Sequence, residues 1–133
     1  SSIDAIEQAD PAVARWIGRV AEGDLPLLIA GATAFISVAR DEGFGMPALE
    51  AMASGVPVIA ADDAGLAEVV GEAGLLVNPE DPDAISSAIA RLSGDQQLRS
   101  DMISRGLKRA EAFTWKAAAH NVWGAIERAC VSF

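Results

Sequence analysis

Apolar positions along this chain come in short bursts, separated by stretches with helical spacing. The runs VARWIGRV (13–20), TAFISVA (33–39), VPVIAA (56–61) and AGLLVN (73–78) are the strand candidates. Each is nearly continuous in apolar residues, as expected of strands buried on both faces. Between them lie DLPLLIAGA (24–32), PALEAMASG (47–55) and AGLAEVVGE (64–72), which read as short helices. From Asp81 to about Ala129 the pattern is helical throughout. The first part of that tail, DPDAISSAIARLSG, has Asp81 at the N-cap position, Pro82 at the first helical position and Gly94 as a stop. DQQLRSDMISRGLKRAEAF follows, then TWKAAAHNVWGAIERA with Thr114 as its cap. The alternation predicts an α/β fold: a Rossmann-like parallel sheet of about four strands, helices on both faces and a helical C-terminal tail. No repeat or linker interrupts it, so residues 1–133 are expected to form a single domain. Doubly wound domains usually carry about five or six strands. The sheet is therefore expected to be incomplete on its N-terminal side.

Composition narrows the class. A 133-residue chain that is 51% hydrophobic can bury a sizeable core. Its 19 acids against 10 bases give a net charge of −9, which argues against binding nucleic acid or an acidic membrane surface. No apolar run approaches the roughly 18–20 residues needed to span a bilayer. The opening SSIDAIEQADP lacks the basic and apolar regions of a signal peptide. With Cys130 as its single cysteine the chain cannot form an internal disulfide, and a reducing cytoplasm is the expected location. Beginning at Ser1 rather than Met, the sequence is expected to be a piece of a longer chain.

The chemistry concentrates in DEGFGMPALE (41–50), between the strand candidate 33–39 and a helix. Ligands of open α/β sheets bind at the carboxyl ends of strands, which is where this loop lies. Gly43 and Gly45 let the backbone take positive φ and approach a ligand closely. Pro47 suits a first helical turn, and no Ser, Thr, Asp or Asn occupies the cap position. The amides near Gly45, Met46 and Ala48 are left for an anion, aided by the helix dipole by about 0.3–1 kcal/mol. Glu50, one turn in, repels a phosphate but accepts well from two vicinal hydroxyls, as in many ribose sites. Glu42 precedes the loop and is expected to face the cleft. In the plainer explanation, Glu50 complements the helix N-terminus and Glu42 is solvated.

Other polar features have simpler accounts. Asp81-Pro82-Asp83 spells a D-x-D metal signature, but it starts a helix and capping explains it. Asp62 and Asp63 follow a strand and suit turn and capping duty. His120 has no second His or Cys at metal spacing, so no metal site is expected. No basic neighbour in the sequence activates Cys130. Trp16, Trp115 and Trp123 suit core or interdomain contacts, and Arg105, Lys108 and Arg109 suit a solvated helix face. Glu68, in a short helix after a strand end, is a secondary candidate for ligand contact.

The segments EGFGMPALEAMASGVPVIAAD and GLAEVVGEAGLLVNPEDPDAI closely resemble retaining glycosyltransferases of the GT-B fold, in the large family 4 (glycosyl transferases group 1). The family's E-x7-E signature matches Glu42 through Glu50 without a gap. Upstream, RWIGRVAEGDLPLLIAGATAFISVA is similar to the family's strand, Gly turn, LP helix and next strand. FTWKAAAHNVWGAIERA resembles its closing helices, and the similarity covers roughly residues 13 to 129.

The resemblance implies the incomplete C-terminal, donor-binding half of a GT-B fold, with a nucleotide-diphosphate sugar as ligand. It implies that Glu50 accepts from the ribose hydroxyls and that Glu42 lies beside the donor sugar as the candidate catalytic residue. Backbone groups of Gly43, Phe44, Gly45 and Met46 would contact sugar and diphosphate. No metal or other cofactor is implied. The family's diphosphate-neutralising Arg and Lys, its first two strands and its acceptor domain lie upstream of anything in this sequence. Arg40 is the sole cation close to the loop, and Leu66-Ala67-Glu68-Val69-Val70 departs from the family's LPEVV.

By the family's strand order, the edge beside residues 33–39 is left open, and open edges recruit partners. Cover is expected from a partner chain, from strand exchange in a homodimer, or from a shifted first strand. A rival reading makes the chain a non-catalytic module that docks on a partner carrying the missing half. A nucleotide-sugar epimerase of similar architecture fits the E-x7-E motif less well.

Overall fold

The computed structural model describes residues 4, 8–39, 45–114, 123 and 126–129. Three parallel strands, β1 (Phe35–Ser37), β2 (Val58–Ala61) and β3 (Leu75–Val77), form a sheet in the order β1-β2-β3. Phe35 pairs with Val58 across the first ladder and Ile59 with Leu75 across the second. The helices with described bounds are α1 (Leu25–Ala30), α2 (Met46–Ala53), α3 (Ala64–Val70), α4 (Pro82–Gly94) and α5 (Gln96–Glu111). A 3-10 turn, Gly71–Ala73, joins α3 to β3.

β2 is central, and all four of its residues are buried. Its side chains contribute to two cores, one on each face of the sheet. Val58 and Ala60 face a cluster with Ile29, Ala48, Ala51, Met52, Leu66 and Val70, drawn from α1, α2 and α3. Ile59 faces the other side, where Val77, Ala88, Leu92 and Met102 bring in α4 and α5. Helices thus cover both faces, as the apolar runs predict. Gly74, just before β3, is demanded by close approach: a Cβ there would lie 2.8 Å from the Val58 carbonyl oxygen and collide with Val70.

Helix starts follow the sequence signals closely. Asp63 accepts from the Leu66 amide at 2.9 Å and Asp95 from the Leu98 amide at 2.9 Å. Asp81 accepts from the Asp83 and Ala84 amides at 3.0 and 3.1 Å, so the D-x-D spelling is a helix cap. Such caps contribute on the order of 1 kcal/mol each. The expected closing helix falls mostly outside the described residues, with Trp115, His120 and Cys130. Within it Trp123 and residues 126–129 are helical, and the Trp123 indole donates to Glu127 at 2.8 Å.

The strand expected at 13–20 does not form, which corrects the count from about four to three among the described residues. Residues 14–20 carry no ladder, and Gly18 sits at φ +67°, a left-handed conformation that interrupts extended backbone. Trp16 and Ile17 are at least half exposed. Apolar β-branched runs raise strand propensity, but a strand persists only where a neighbour completes its hydrogen bonds. Among the described residues no shifted first strand covers β1. No described strand lies beyond β1, and Ile36 at its centre is 42% exposed.

Candidate functional site

Because the sheet is parallel, its carboxyl end gathers the start of α2 after β1, Asp62 and Asp63 after β2, and Asn78 after β3. At the first of these, Gly45 caps α2 in the left-handed conformation, φ 63° and ψ 29°, with no side-chain cap bond. A β-carbon at Gly45 would stand 3.1 Å from Leu66 Cδ2 and 3.6 Å from Val69, so α3 braces this turn from below. Pro47 occupies the first turn, where its missing N–H leaves no helical bond unmade.

The face that α2 buries carries Ala48, Ala51 and Met52. Met46 and Glu50, four residues apart, stand on the exposed face. Met46 and Glu50 thus share one solvent-facing rim, while Gly45, which caps the helix, is itself buried against α3. A carboxylate one turn below uncapped amides can accept from hydroxyls while the amides donate to an anion. Glu42, Gly43 and Phe44, the remaining expected site residues, lie outside the described residues. No group of three or more His, Cys, Asp or Glu able to hold a metal occurs among the described residues.

The structure separates the two aspartates after β2. Asp63 is committed to the α3 cap, whereas the Asp62 amide donates to the Val77 carbonyl at 2.8 Å and its side chain is exposed. Glu68 is placed away from the rim: it lies in the last turn of α3, and its carbonyl accepts from Arg109.

Arg109 was read as part of a solvated face, and the structure corrects this. Its Nε donates to the Val69 carbonyl at 2.9 Å, its other amine end to the Glu68 carbonyl, and its guanidinium lies 5.2 Å from the Phe113 ring centre. A cation thereby closes the negative C-terminus of α3. Its acceptors are about 40 residues away in sequence, so no local spacing could have flagged the role. Arg105 and Lys108 remain exposed, along a groove near Gly71 and Glu72.

The family model described as glycosyl transferases group 1 matches residues 4–109. The O-antigen chain mannosyltransferase B of Escherichia coli is 45% identical over 102 residues, 77% of this chain and 27% of that protein. A D-inositol 3-phosphate glycosyltransferase from a Nocardioides species is 34% identical over 88% of this chain and 26% of its own length. The chain thus spans about a quarter of the curated relatives it matches. Among solved structures, the sucrose-phosphate synthase of Thermosynechococcus elongatus superposes with TM-score 0.73 at 30% identity, covering 90% of this chain and 31% of that one. The C-terminal domain of a glycosyl transferase group 1 family protein from Francisella tularensis superposes with TM-score 0.65 at 30% identity, covering 73% and 51%. The fold is a partial GT-B fold, and the chain belongs to the glycosyl transferases group 1 family.

Proposed function

We propose that this chain is the donor-binding, C-terminal part of a retaining glycosyltransferase that moves a sugar from a nucleotide diphosphate to an acceptor hydroxyl. The observation that carries the reading is the uncapped start of α2 at the sheet's carboxyl end, with Gly45 left-handed and Glu50 exposed one turn on. The family match and the likeness to a C-terminal domain support it. In this reading residues 1–133 are one partial domain. The backbone of Gly43, Phe44, Gly45 and Met46 donates to sugar and diphosphate, Glu50 accepts from the ribose hydroxyls, and Glu42 lies beside the transferred sugar as the catalytic residue.

Positioning and charge stabilisation supply the rate. Fixed amides aimed at the departing diphosphate lower the barrier because their orientation is set before bond breaking begins. Retention requires the acceptor hydroxyl to arrive on the face the diphosphate leaves. Donor sugars such as mannose or glucose on GDP or UDP, and a cytoplasmic location, accompany this reading. The acceptor site belongs to a further domain or a partner chain. The test is calorimetric titration of the full-length protein with GDP-mannose, UDP-glucose and related donors. Submicromolar to millimolar binding of one of them is expected, and absence of binding by all would remove the proposal.

A second reading has its own observation. Among the described residues β1 is an edge strand, and Ile36 at its centre is exposed, as are Trp16, Ile17 and Leu27 in the segments before it. On this view the chain is a non-catalytic subunit whose edge takes a strand from a partner or a second copy. Replacing Glu42 and Glu50 with Ala would then leave complex formation intact with no donor binding to lose.

A further inference from the structure

We infer that Arg109 is a positioning residue for the start of α2: through Val69 it fixes the turn at Gly45 and so sets the affinity for a nucleoside diphosphate. The role rests on the donor site proposed above. Val69 is where the two ends of this link meet. Its carbonyl accepts from Arg109 Nε at 2.9 Å. Its side chain is buried against Gly45, where a β-carbon would stand 3.6 Å from Val69 Cβ and 3.1 Å from Leu66 Cδ2. One residue in the last turn of α3 thus joins the guanidinium to the cap of α2.

The guanidinium is itself held in place. It donates to the Glu68 carbonyl as well, and the Phe113 ring centre lies 5.2 Å away. At Gly71 a β-carbon would stand 3.3 Å from Arg109 Cζ, so the chain leaving α3 passes close by. One turn earlier on α5, Gly106 comes up to α2: a β-carbon there would stand 3.3 Å from Met52 Cγ. Positions three apart share one face of a helix. That face of α5 therefore meets α2 at Gly106 and α3 at Arg109, and it spans the two helices whose contact braces Gly45. Gly45 makes no side-chain cap bond, so packing from α3 is what holds its left-handed backbone. Amides stabilise an anion best when their direction is fixed beforehand. A shift of about 1 Å caused by a distant substitution can cost on the order of a hundredfold in rate. Without Arg109 the last turn of α3 loses its tie to α5, and the amides at the start of α2 lose their backing.

The experiment titrates GDP and UDP into the full-length protein, at a temperature where circular dichroism shows every variant folded. Wild type is compared with Arg109→Ala, Val69→Ala, the double variant, Glu50→Ala and Leu92→Val. Leu92 lies in the cluster on the other face of the sheet and controls for general destabilisation. For whichever nucleotide wild type binds, Arg109→Ala and Val69→Ala should each weaken binding about tenfold, and Leu92→Val less than about twofold. The double variant should lose little more than either single one, because both act through one brace. Arg109→Lys keeps a cation without the planar fork, so it should bind as weakly as Arg109→Ala and replaces it if that variant does not fold. Tight binding by Arg109→Ala, an equal loss in Leu92→Val, no loss in Val69→Ala or additive losses in the double variant would overturn the role of Arg109. Each of those outcomes leaves the donor site standing. Wild type that binds neither nucleotide, or Glu50→Ala that binds as tightly as wild type, would bring down the donor site and Arg109's role with it.

Discussion

Single side chains divide here between those that hold the fold and those left for a ligand. Arg109 belongs to the first kind, because its guanidinium satisfies carbonyls at the end of α3 and stacks on Phe113. Arg109→Ala leaves those acceptors unpaired, and we expect a loss of about 1–3 kcal/mol in denaturant unfolding. Arg109→Lys should recover little, since an ammonium cannot donate as a planar fork. Glu50 belongs to the second kind: it is exposed on α2 and supports no packing. Glu50→Ala should leave the unfolding midpoint within about 0.5 kcal/mol of wild type while weakening donor binding about tenfold or more. A large stability loss would mean that Glu50 serves the helix instead.

At the scale of elements, two glycines hold neighbours at distances no other residue allows. Gly74→Ala drives a methyl into the Val58 carbonyl and Val70, with backbone on one side that cannot yield. We expect destabilisation of about 1–3 kcal/mol or more, read as a lowered melting temperature. Gly45→Ala meets both a left-handed backbone and the Leu66 methyl at 3.1 Å. The conformational cost is about 1–2 kcal/mol, and the turn relaxes away from its bound geometry. Donor affinity should therefore fall more than stability does, which titration and thermal melts on the same sample compare directly. Helix starts were legible because Asp81 and Asp63 cap within three residues of themselves. The run at 13–20 misled because its apolar pattern matches a strand while its partner does not exist among the described residues.

The described residues form a three-stranded sheet with β1 as an edge strand, in a chain spanning about a quarter of its curated relatives. Two consequences belong to this scale. On the proposed reading the 133 residues by themselves should transfer no sugar, because the diphosphate-neutralising cations and acceptor domain that the family resemblance implies are not among them. A radiolabel transfer assay with nucleotide sugars should show no product above background, and turnover would overturn the partial-enzyme reading. The open edge should also make the isolated chain self-associate. Sedimentation velocity is expected to show dimers or larger species, and Ile36→Lys, which puts a charge at the centre of β1, should shift them toward monomer.

The amino-acid sequence by itself determined the α/β alternation, three of the four strand positions, the helix starts and the family. Each depends on residues within a few positions of one another, or on motif order along the chain. The tertiary structure alone decided that residues 14–20 find no ladder among the described residues and that Arg109 closes α3. Those outcomes depend on which distant backbone groups meet across the sheet and beneath it, and nothing in local spacing encodes that meeting.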